Sequence, residues 1–225
     1  MYTLYIGNKN YSSWSLRPWI LMRELGIPFN EILIPFNEPG FPAFSSISPT
    51  AKVPCLHDGS ERVWESLAIC EYLAERHEGV WPKDAKARAW ARSAASEMHA
   101  GFGNLRNVCS MSVGLRVELH KVTPELQKDV DRIGALWSEG LQRFGGPFLA
   151  GPTFTAVDAF FAPVAFRFQT YGLPLPKPAA DYVKRVLELK GMKEWYAAGL
   201  AEKWRDLPHE AETPTFGKIT ADLRK

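Results

Sequence analysis

Two adjacent serines near the N-terminus lie where a helix is expected to begin. The sequence from position 11 reads YSSWSLRP. Pro18 has no backbone N–H and is tolerated in the first helical turn, where N–H groups have no intrahelical partner. The pattern therefore predicts a helix that starts near Leu16, with Ser15 as its N-cap. Ser12 and Ser13 would then lie just ahead of the helix N-terminus, where free N–H groups and the helix dipole favour an anion.

A thiolate is one anion that such a position suits. A free thiol has a pKa of about 8.5, so only a few per cent of it is ionised at pH 7. Lowering that pKa by about two units takes roughly 2.7 kcal/mol and makes the thiolate the majority form. A hydroxyl hydrogen bond at a helix N-terminus is of the right size to contribute this energy. The alternative is that Ser12 and Ser13 only cap and turn the chain.

The tripeptide Lys52-Val53-Pro54 is the second candidate site. A proline directly before a strand is an edge or turn feature, and its peptide bond can be cis or trans. A cis bond would turn the backbone N–H and C=O of Val53 outward, where they could pair with an extended peptide ligand. Lys52 could meet a carboxylate. The alternative is a trans proline that begins a strand beside a solvated lysine.

A third candidate site is the pair Glu65-Ser66 at the expected start of a helix. A serine there can bind a carboxylate through its hydroxyl and its backbone N–H, and a glutamate beside it can hold an ammonium group. Together they suit the head group of an amino acid. The alternative is that both residues merely favour a helix N-terminus.

The elements that would position these candidates fall into two groups. Hydrophobic spacing and turn residues predict the order βαβ-ββα in the first part and helices in the rest. The predicted strands are 2–7, 29–34, 53–59 and 63–64; the predicted helices are 16–25, 65–76, 83–112, 124–144, 155–171, 178–190 and 192–200. The segment Gly79–Pro82 is the expected domain boundary. We therefore expect an α/β domain over residues 1–80 and an all-α domain over residues 83–225.

Composition excludes several classes of protein. The 225 residues are 46% hydrophobic and 23% charged, with a net charge of +2, which gives no reason to expect nucleic acid or a membrane as partner. Cys55, Cys70 and Cys109 form no CxxC pair, so neither a disulfide framework nor a zinc cluster is expected. The N-terminus has no basic stretch followed by an apolar run. We expect a cytoplasmic protein that needs no metal.

The order of elements, with Ser-Ser before the first helix, Val-Pro before the third strand and Glu-Ser before the next helix, resembles the cytosolic glutathione transferases. The resemblance implies a thioredoxin-like first domain that binds glutathione and a helical second domain. It also implies roles for individual residues. Glu65 and Ser66 would contact the γ-glutamyl end of glutathione, and Val53, ahead of a cis-Pro54, would pair with the cysteinyl backbone. Lys52 would meet the glycine carboxylate, and Ser12 or Ser13 would face the sulfur.

Residues 12–17, SSWSLR, look most like the zeta class of this family, whose pattern is Ser-Ser-Cys-Ser-x-Arg. We expect a bacterial member with this zeta-like motif. Trp14 stands where the pattern has cysteine, so the zeta-type isomerase activity is not carried over. In the second domain, Thr155 and Asp158 resemble the internal capping box of the family, in which Thr155 caps a helix and Asp158 reaches back to its N–H.

In this family the electrophile binds between the domains, against the first long helix of the second domain. Here His99, Phe102 and Arg106 occupy positions i, i+3 and i+7 of the predicted helix 83–112, so one helix face could present all three. The alternative for His99 is a core or surface histidine with no ligand.

The resemblance implies a homodimer that conjugates glutathione to a small electrophile in detoxification, with glutathione as co-substrate and no further cofactor. One alternative is a transferase-like scaffold that has lost catalysis and serves in regulation or interaction. A second alternative is a thiol–disulfide oxidoreductase, which would need a nucleophilic cysteine where Ser12–Ser15 stand.

Overall fold

The first part of the chain is built on a mixed four-stranded sheet. The computed structural model describes all residues, Met1–Lys225. The strands are β1 (Tyr2–Ile6), β2 (Phe29–Leu33), β3 (Cys55–Asp58) and β4 (Glu61–Trp64), in the spatial order β2-β1-β3-β4. β1 is parallel to β2, whereas β3 is antiparallel to both of its neighbours. The parallel pair needs a crossover, and the first helix supplies it.

Helices α1 (Ser13–Glu24) and α2 (Ser66–Ala74) complete this part. Helix α1 begins earlier than the sequence predicts, because the Leu16 N–H donates to the Ser12 carbonyl at 3.2 Å and closes a turn ahead of Pro18. The prediction of a start near Leu16 with Ser15 as N-cap is therefore wrong. Ser12 is the N-cap and Ser13 is the first helical residue.

The second part is mainly helical, as expected. Its helices are α3 (Ala85–Ala100), α4 (Gly103–Val108), α5 (Pro124–Phe144), α6 (Ala156–Tyr171), α7 (Lys177–Leu187), α8 (Lys190–Ala201) and α9 (Leu207–Phe216). No helix combines the length and the apolar character that crossing a bilayer would require. Two short antiparallel strands, β5 (Leu115–Leu119) and β6 (Gly217–Asp222), were not predicted and pair with each other.

The helix predicted over residues 83–112 is interrupted. Gly101 adopts an extended conformation after α3, and a Cβ at this position would lie 2.8 Å from the Glu97 carbonyl oxygen. Phe102 follows with a φ of 56°, in the left-handed region that side chains disfavour. A single helix face therefore does not carry His99, Phe102 and Arg106, since His99 belongs to α3 and Arg106 to α4.

One continuous core joins the two parts. Its centre is α6, in which nearly every residue is buried, and α6 packs against both α1 and α3. The expected capping box is present at the start of α6, where the Asp158 carboxylate accepts the Thr155 N–H at 3.0 Å. Asp158 also accepts from the Leu149 N–H and the Tyr182 hydroxyl. This buried network fixes the helix that backs α1 and its serines.

Candidate functional site

Two adjoining cavities lie beside the N-terminus of α1. The larger has a volume of about 870 Å³ and the smaller about 160 Å³. Trp14, Lys52 and Val53 line both of them. Ser12 and Ser13 face the larger cavity, whereas Glu65 and Ser66 face the smaller. The structure therefore brings together all three motifs singled out in the sequence.

The two serines differ in their hydrogen bonds. The Ser12 hydroxyl donates to Ser15 Oγ at 2.7 Å, and the same oxygen of Ser15 accepts the Gly7 N–H at 3.1 Å. The Ser13 hydroxyl oxygen accepts from Arg167 Nη2 at 3.4 Å. Both side chains are buried in the protein and line the cavity at the positive end of α1. An anion in this cavity would meet hydroxyl groups, the helix end and a guanidinium.

The hydroxyl of Tyr11, which also lines the larger cavity, is already engaged. It donates to the Glu210 carboxylate and accepts from Arg224 Nη1 at 3.2 Å. Burial and the hydrogen bond to Glu210 raise the pKa of Tyr11 well above its usual range. This phenol therefore holds the C-terminal segment and is not free to donate to a sulfur atom.

The Val53–Pro54 peptide bond is cis. Val53 lies at the junction of the two cavities, next to the exposed Lys52. Pro54 lies in the wall of the smaller cavity.

Glu65 and Ser66 form the end of the smaller cavity, at the start of α2. The Ser66 hydroxyl oxygen accepts from Arg17 Nη1 at 3.4 Å, so its proton stays available for a ligand. Glu65 has a φ of 66° and a ψ of 127°, a backbone conformation that side chains rarely adopt. Such strain costs about 1–3 kcal/mol and concentrates at functional sites. The strained conformation holds the exposed Glu65 carboxylate at the cavity wall.

Three arginines without carboxylate partners lie near the start of α1, and two of them contact Trp14. The guanidinium carbons of Arg17 and Arg106 lie 4.0 and 5.5 Å from the centre of the Trp14 ring. Arg167 donates to the backbone carbonyls of Arg106 and Cys109. None of the three forms a salt bridge within the protein. Arg106 and Arg167 line the larger cavity directly.

Burial and repulsion between arginines lower the pKa values of Arg17 and Arg167. Burial, followed by repulsion from Arg167 and Arg106, lowers the pKa of Arg17 to about 9. Burial lowers the pKa of Arg167 to about 10. Both side chains therefore stay charged at neutral pH, and the cavity wall is positive. From the sequence, Arg106 is a predicted site residue, Arg17 enters only through the zeta-like motif and Arg167 is not predicted, because Arg17 and Arg167 become neighbours only when α1 packs against α6.

The structure separates the other two residues of the expected electrophile face from the cavity. His99 packs edge-on against Trp14, with ring centres 5.2 Å apart, and its Nδ1 is buried without a hydrogen-bond partner. Burial, then repulsion from Arg17, lowers the pKa of His99. Phe102 is buried in the core. Neither residue lines the larger cavity, whose wall on this side includes Arg106, Asn107 and Met111.

Helix α9 forms a wall of the cavity that the sequence analysis did not anticipate. His209, Glu212 and Phe216 all face the cavity. The helix has a local signal that could have found it: Asp206 is an N-cap residue followed by a proline in the first turn. Pro214, near the end of the helix, masks the pattern, because an internal proline normally argues against a helix.

Comparison with known proteins identifies the family. Residues 11–76 match the family model of the glutathione S-transferase N-terminal domain, and residues 120–198 match that of the C-terminal domain. Together the two models cover more than half of the chain. The chain belongs to the glutathione transferase family.

Individual relatives agree with this assignment. The chain is 28% identical to a zeta-class glutathione S-transferase of Euphorbia esula, with 68% of this chain and 70% of the relative covered. It is 26% identical to a probable maleylacetoacetate isomerase of Caenorhabditis elegans, with 82% and 87% covered. These relatives do not test the expected bacterial source.

A solved structure shows the same fold. A glutathione transferase homologue from Burkholderia, crystallised with bound glutathione, superposes with a TM-score of 0.67 at 22% identity, covering 88% of this chain and 97% of that one. The expected combination of a thioredoxin-like domain and a helical domain is therefore confirmed.

Proposed function

We propose that this protein is a glutathione transferase that binds glutathione across the two cavities, keeps its sulfur as a thiolate and promotes attack on an electrophile. The attacking sulfur forms a bond to carbon, and either a leaving group departs with its bonding pair or the π pair of a double bond moves away from that carbon. The enzyme supplies thiol activation and proximity. Glutathione is the co-substrate.

The observation that carries the proposal is the order of polar groups along the cavities. Glu65 and Ser66 lie at one end, Val53 at the junction, and Ser12 and Ser13 beyond it. An extended tripeptide with a free amino-acid head group matches this order: its ammonium and carboxylate suit Glu65 and Ser66, and its thiol would reach the serines. The exposed Lys52 would meet the glycine carboxylate.

The charge of the larger cavity favours an electrophile with an anionic group. Lys52, Arg106 and Arg167 line this cavity, against the single carboxylate of Glu212. The Arg106 guanidinium forms no salt bridge within the protein and belongs to the cavity wall, so it is available to a ligand. Arginine pairs well with carboxylates because its planar donors can bind both oxygens. We therefore propose a substrate that carries a carboxylate near its reactive carbon.

Three predictions from the sequence concern the molecule as a whole. The domain division at Gly79–Pro82, the homodimer and the cytoplasmic location stay predictions.

Isomerisation of a maleyl compound is the activity in the name of one relative. At the position of the zeta-class cysteine this chain has Trp14, which stacks on Arg17. We therefore propose conjugation rather than isomerisation.

Two measurements separate the enzyme from a non-catalytic scaffold. Retention on glutathione resin, with elution by free glutathione, tests binding. Ultraviolet titration of bound glutathione at about 240 nm tests ionisation, and the proposal expects a thiol pKa well below the free value of about 8.5. Binding with an unshifted thiol pKa would support a scaffold. No retention at all would overturn the proposed glutathione site.

A further inference from the structure

The imidazole of His209 is held between two aromatic rings at the edge of the larger cavity. Its ring centre lies 5.2 Å from that of Tyr11 and 5.6 Å from that of Phe36, with interplanar angles of 23° and 16°. This double stack fixes the plane of the ring. The side chain remains 37% exposed, and it lines the cavity that contains the two serines. The stack restricts rotation of the imidazole, while its exposed edge stays accessible to a ligand in the cavity.

The carboxylate of Asp206 fixes the proton on the imidazole. Asp206 is buried and accepts from the Nδ1 of His209 and from its backbone N–H at 3.3 Å. Its other oxygen accepts from Asn37 Nδ2 at 2.7 Å. Although burial opposes it, hydrogen bonding from His209 and Asn37 lowers the pKa of Asp206. Asp206 is therefore ionised at neutral pH, so Nδ1 is the donor and Nε2 is left for the cavity.

The location of the imidazole relates it to the reaction. Its stacking partner Tyr11 directly precedes Ser12 in the chain, and Tyr11, Ser12, Ser13 and His209 all line the same cavity. The Nε2 of His209 has no hydrogen-bond partner in the protein and is not among the buried unpaired atoms. A group that accepts electrons from the sulfur could therefore come within reach of a proton on Nε2.

We propose that His209 is a catalytic general acid for the addition of glutathione to conjugated carbonyl compounds. This inference rests on the proposed function and assigns a substrate class to the same site. The thiolate forms a C–S bond at the β-carbon, the electron pair of the C=C bond moves to form an enolate, and the imidazolium Nε2–H protonates it. The neutral imidazole then regains a proton from water. Asp206 is a positioning residue, because it acts only through the ring.

The charged residues around the His209 imidazole are Asp206, Glu210, Glu212 and Arg224. Asp206 bonds to its Nδ1, and the adjacent Glu210 is paired with Arg224 and accepts from Tyr11. Glu212 lines the same cavity. Since Glu210 already has two partners, Asp206 is the carboxylate that sets the tautomer of the ring.

The test compares two electrophiles in the full-length protein. Addition to benzylideneacetone requires a proton, whereas substitution of chlorodinitrobenzene releases chloride and requires none. Thiolate ionisation contributes equally to both reactions, so it cancels in the ratio of their kcat/KM values. For the wild type we expect this ratio to fall as the pH rises, because only the protonated imidazole can act as the acid. For His209→Asn, which keeps a donor for Asp206, we expect a flat ratio.

The expected size of the effect follows from general acid catalysis. His209→Asn should lower kcat/KM for benzylideneacetone by about 10- to 100-fold. Turnover of chlorodinitrobenzene should change by less than about threefold. His209→Phe, which keeps the aromatic stack, should give the same result. It replaces His209→Asn in the test if the asparagine variant is altered in folding. Asp206→Asn should give a partial loss, and the exposed His120→Asn none.

The outcomes distinguish this inference from the proposed function. An equal loss with both electrophiles, or an unchanged pH dependence of the ratio in His209→Asn, would overturn the role of His209 and leave the proposed transferase intact. If the wild type binds glutathione but turns over neither electrophile, the proposed conjugation fails, and the role of His209 fails with it. Unchanged calorimetric affinity of His209→Asn for glutathione supports a role in chemistry alone.

Discussion

The carboxylate of Glu202 accepts the backbone N–H of Asn10 at 3.1 Å, across 192 residues of chain. It also accepts the N–H of Lys9, whose carbonyl accepts Trp195 Nε1 at 2.7 Å. These residues of the loop between β1 and α1 directly precede Tyr11 and the two serines. The helical part of the protein therefore holds the loop that positions the proposed thiolate site.

Replacing Glu202 by alanine should destabilise the protein and loosen this loop. The change leaves two buried N–H groups without partners, which should cost about 2–4 kcal/mol. Urea unfolding of Glu202→Ala measures the loss. The control is Glu188→Ala, because Glu188 makes only an exposed ion pair with Lys193. That variant should stay within about 0.5 kcal/mol of the wild type. Equal stability of both variants would show that Glu202 does not hold the loop.

Asp158 should contribute strongly to stability. It is fully buried, and burial raises its pKa to about 6 against the effect of hydrogen bonds from Leu149, Thr155 and Tyr182. Asp158→Ala strands several buried donors at once and should lower the free energy of unfolding by about 3 kcal/mol. Asp181→Ala, in the exposed pair with Lys177, is the matched control and should have little effect. Chemical denaturation of the two variants compares them, and a loss below about 1 kcal/mol in Asp158→Ala would contradict the role of the network.

Glu65 should show opposite effects on stability and on binding. Its positive φ is strained for a side chain but free for glycine. Glu65→Gly should therefore stabilise the fold by about 1 kcal/mol while it removes the carboxylate proposed to hold the ammonium group of glutathione. Calorimetry should show at least about tenfold weaker binding. Glu65→Gln keeps the backbone strain and the side-chain shape, so it should lose affinity without any gain in stability. Full affinity in both variants would refute the head-group site.

The sequence predicted those parts of the fold that short-range patterns determine. The strands β1 to β4, helix α5 and the capping box of Thr155 and Asp158 each depend on residues within a few positions of one another. The predicted start of α1 is too late, because the prediction requires Pro18 in the first turn whereas the helix tolerates it in the second. The break at Gly101 had a local signal, glycine on both sides of Phe102, which the helical periodicity around it obscured.

The unpredicted parts depend on contacts that no local pattern encodes. Strands β5 and β6 pair Leu115 with Asp222, about a hundred residues apart. Likewise, His209 becomes part of the site only because α9 folds back onto Tyr11 and Phe36. In contrast, all three motifs that we propose to bind glutathione can be singled out in the sequence, since each combines a residue type with the end of a predicted element. Their convergence on one pair of cavities required the structure.

The hydroxyl groups of Ser12 and Ser13 should lower the pKa of the bound thiol. The double variant Ser12→Ala/Ser13→Ala removes both hydroxyl groups, of which that of Ser12 must turn away from Ser15 Oγ to donate to the sulfur. It should raise this pKa by about 1–2 units toward the free value of about 8.5. The single variants show how the two serines share the effect. Ultraviolet titration of bound glutathione measures each value, and Ser93→Ala, an exposed serine of α3, is the control. An unchanged titration in the double variant would assign the ionisation to the end of α1 and the arginines.

Arg106 should select electrophiles that carry a carboxylate. It lines the larger cavity, forms no salt bridge and has an unpaired Nε, so its removal costs the fold little. With chlorodinitrobenzene and its carboxylated analogue chlorodinitrobenzoate, Arg106→Gln should lower kcat/KM about 10-fold for the carboxylated compound and less than about twofold for the neutral one, as expected for the loss of a charge-assisted hydrogen bond. Arg143→Gln, on the exposed face of α5, is the matched control, because its partner Glu139 is also exposed. A loss that is equal for the two electrophiles would show that Arg106 does not recognise the carboxylate, since glutathione and the dinitroaryl ring are common to both reactions.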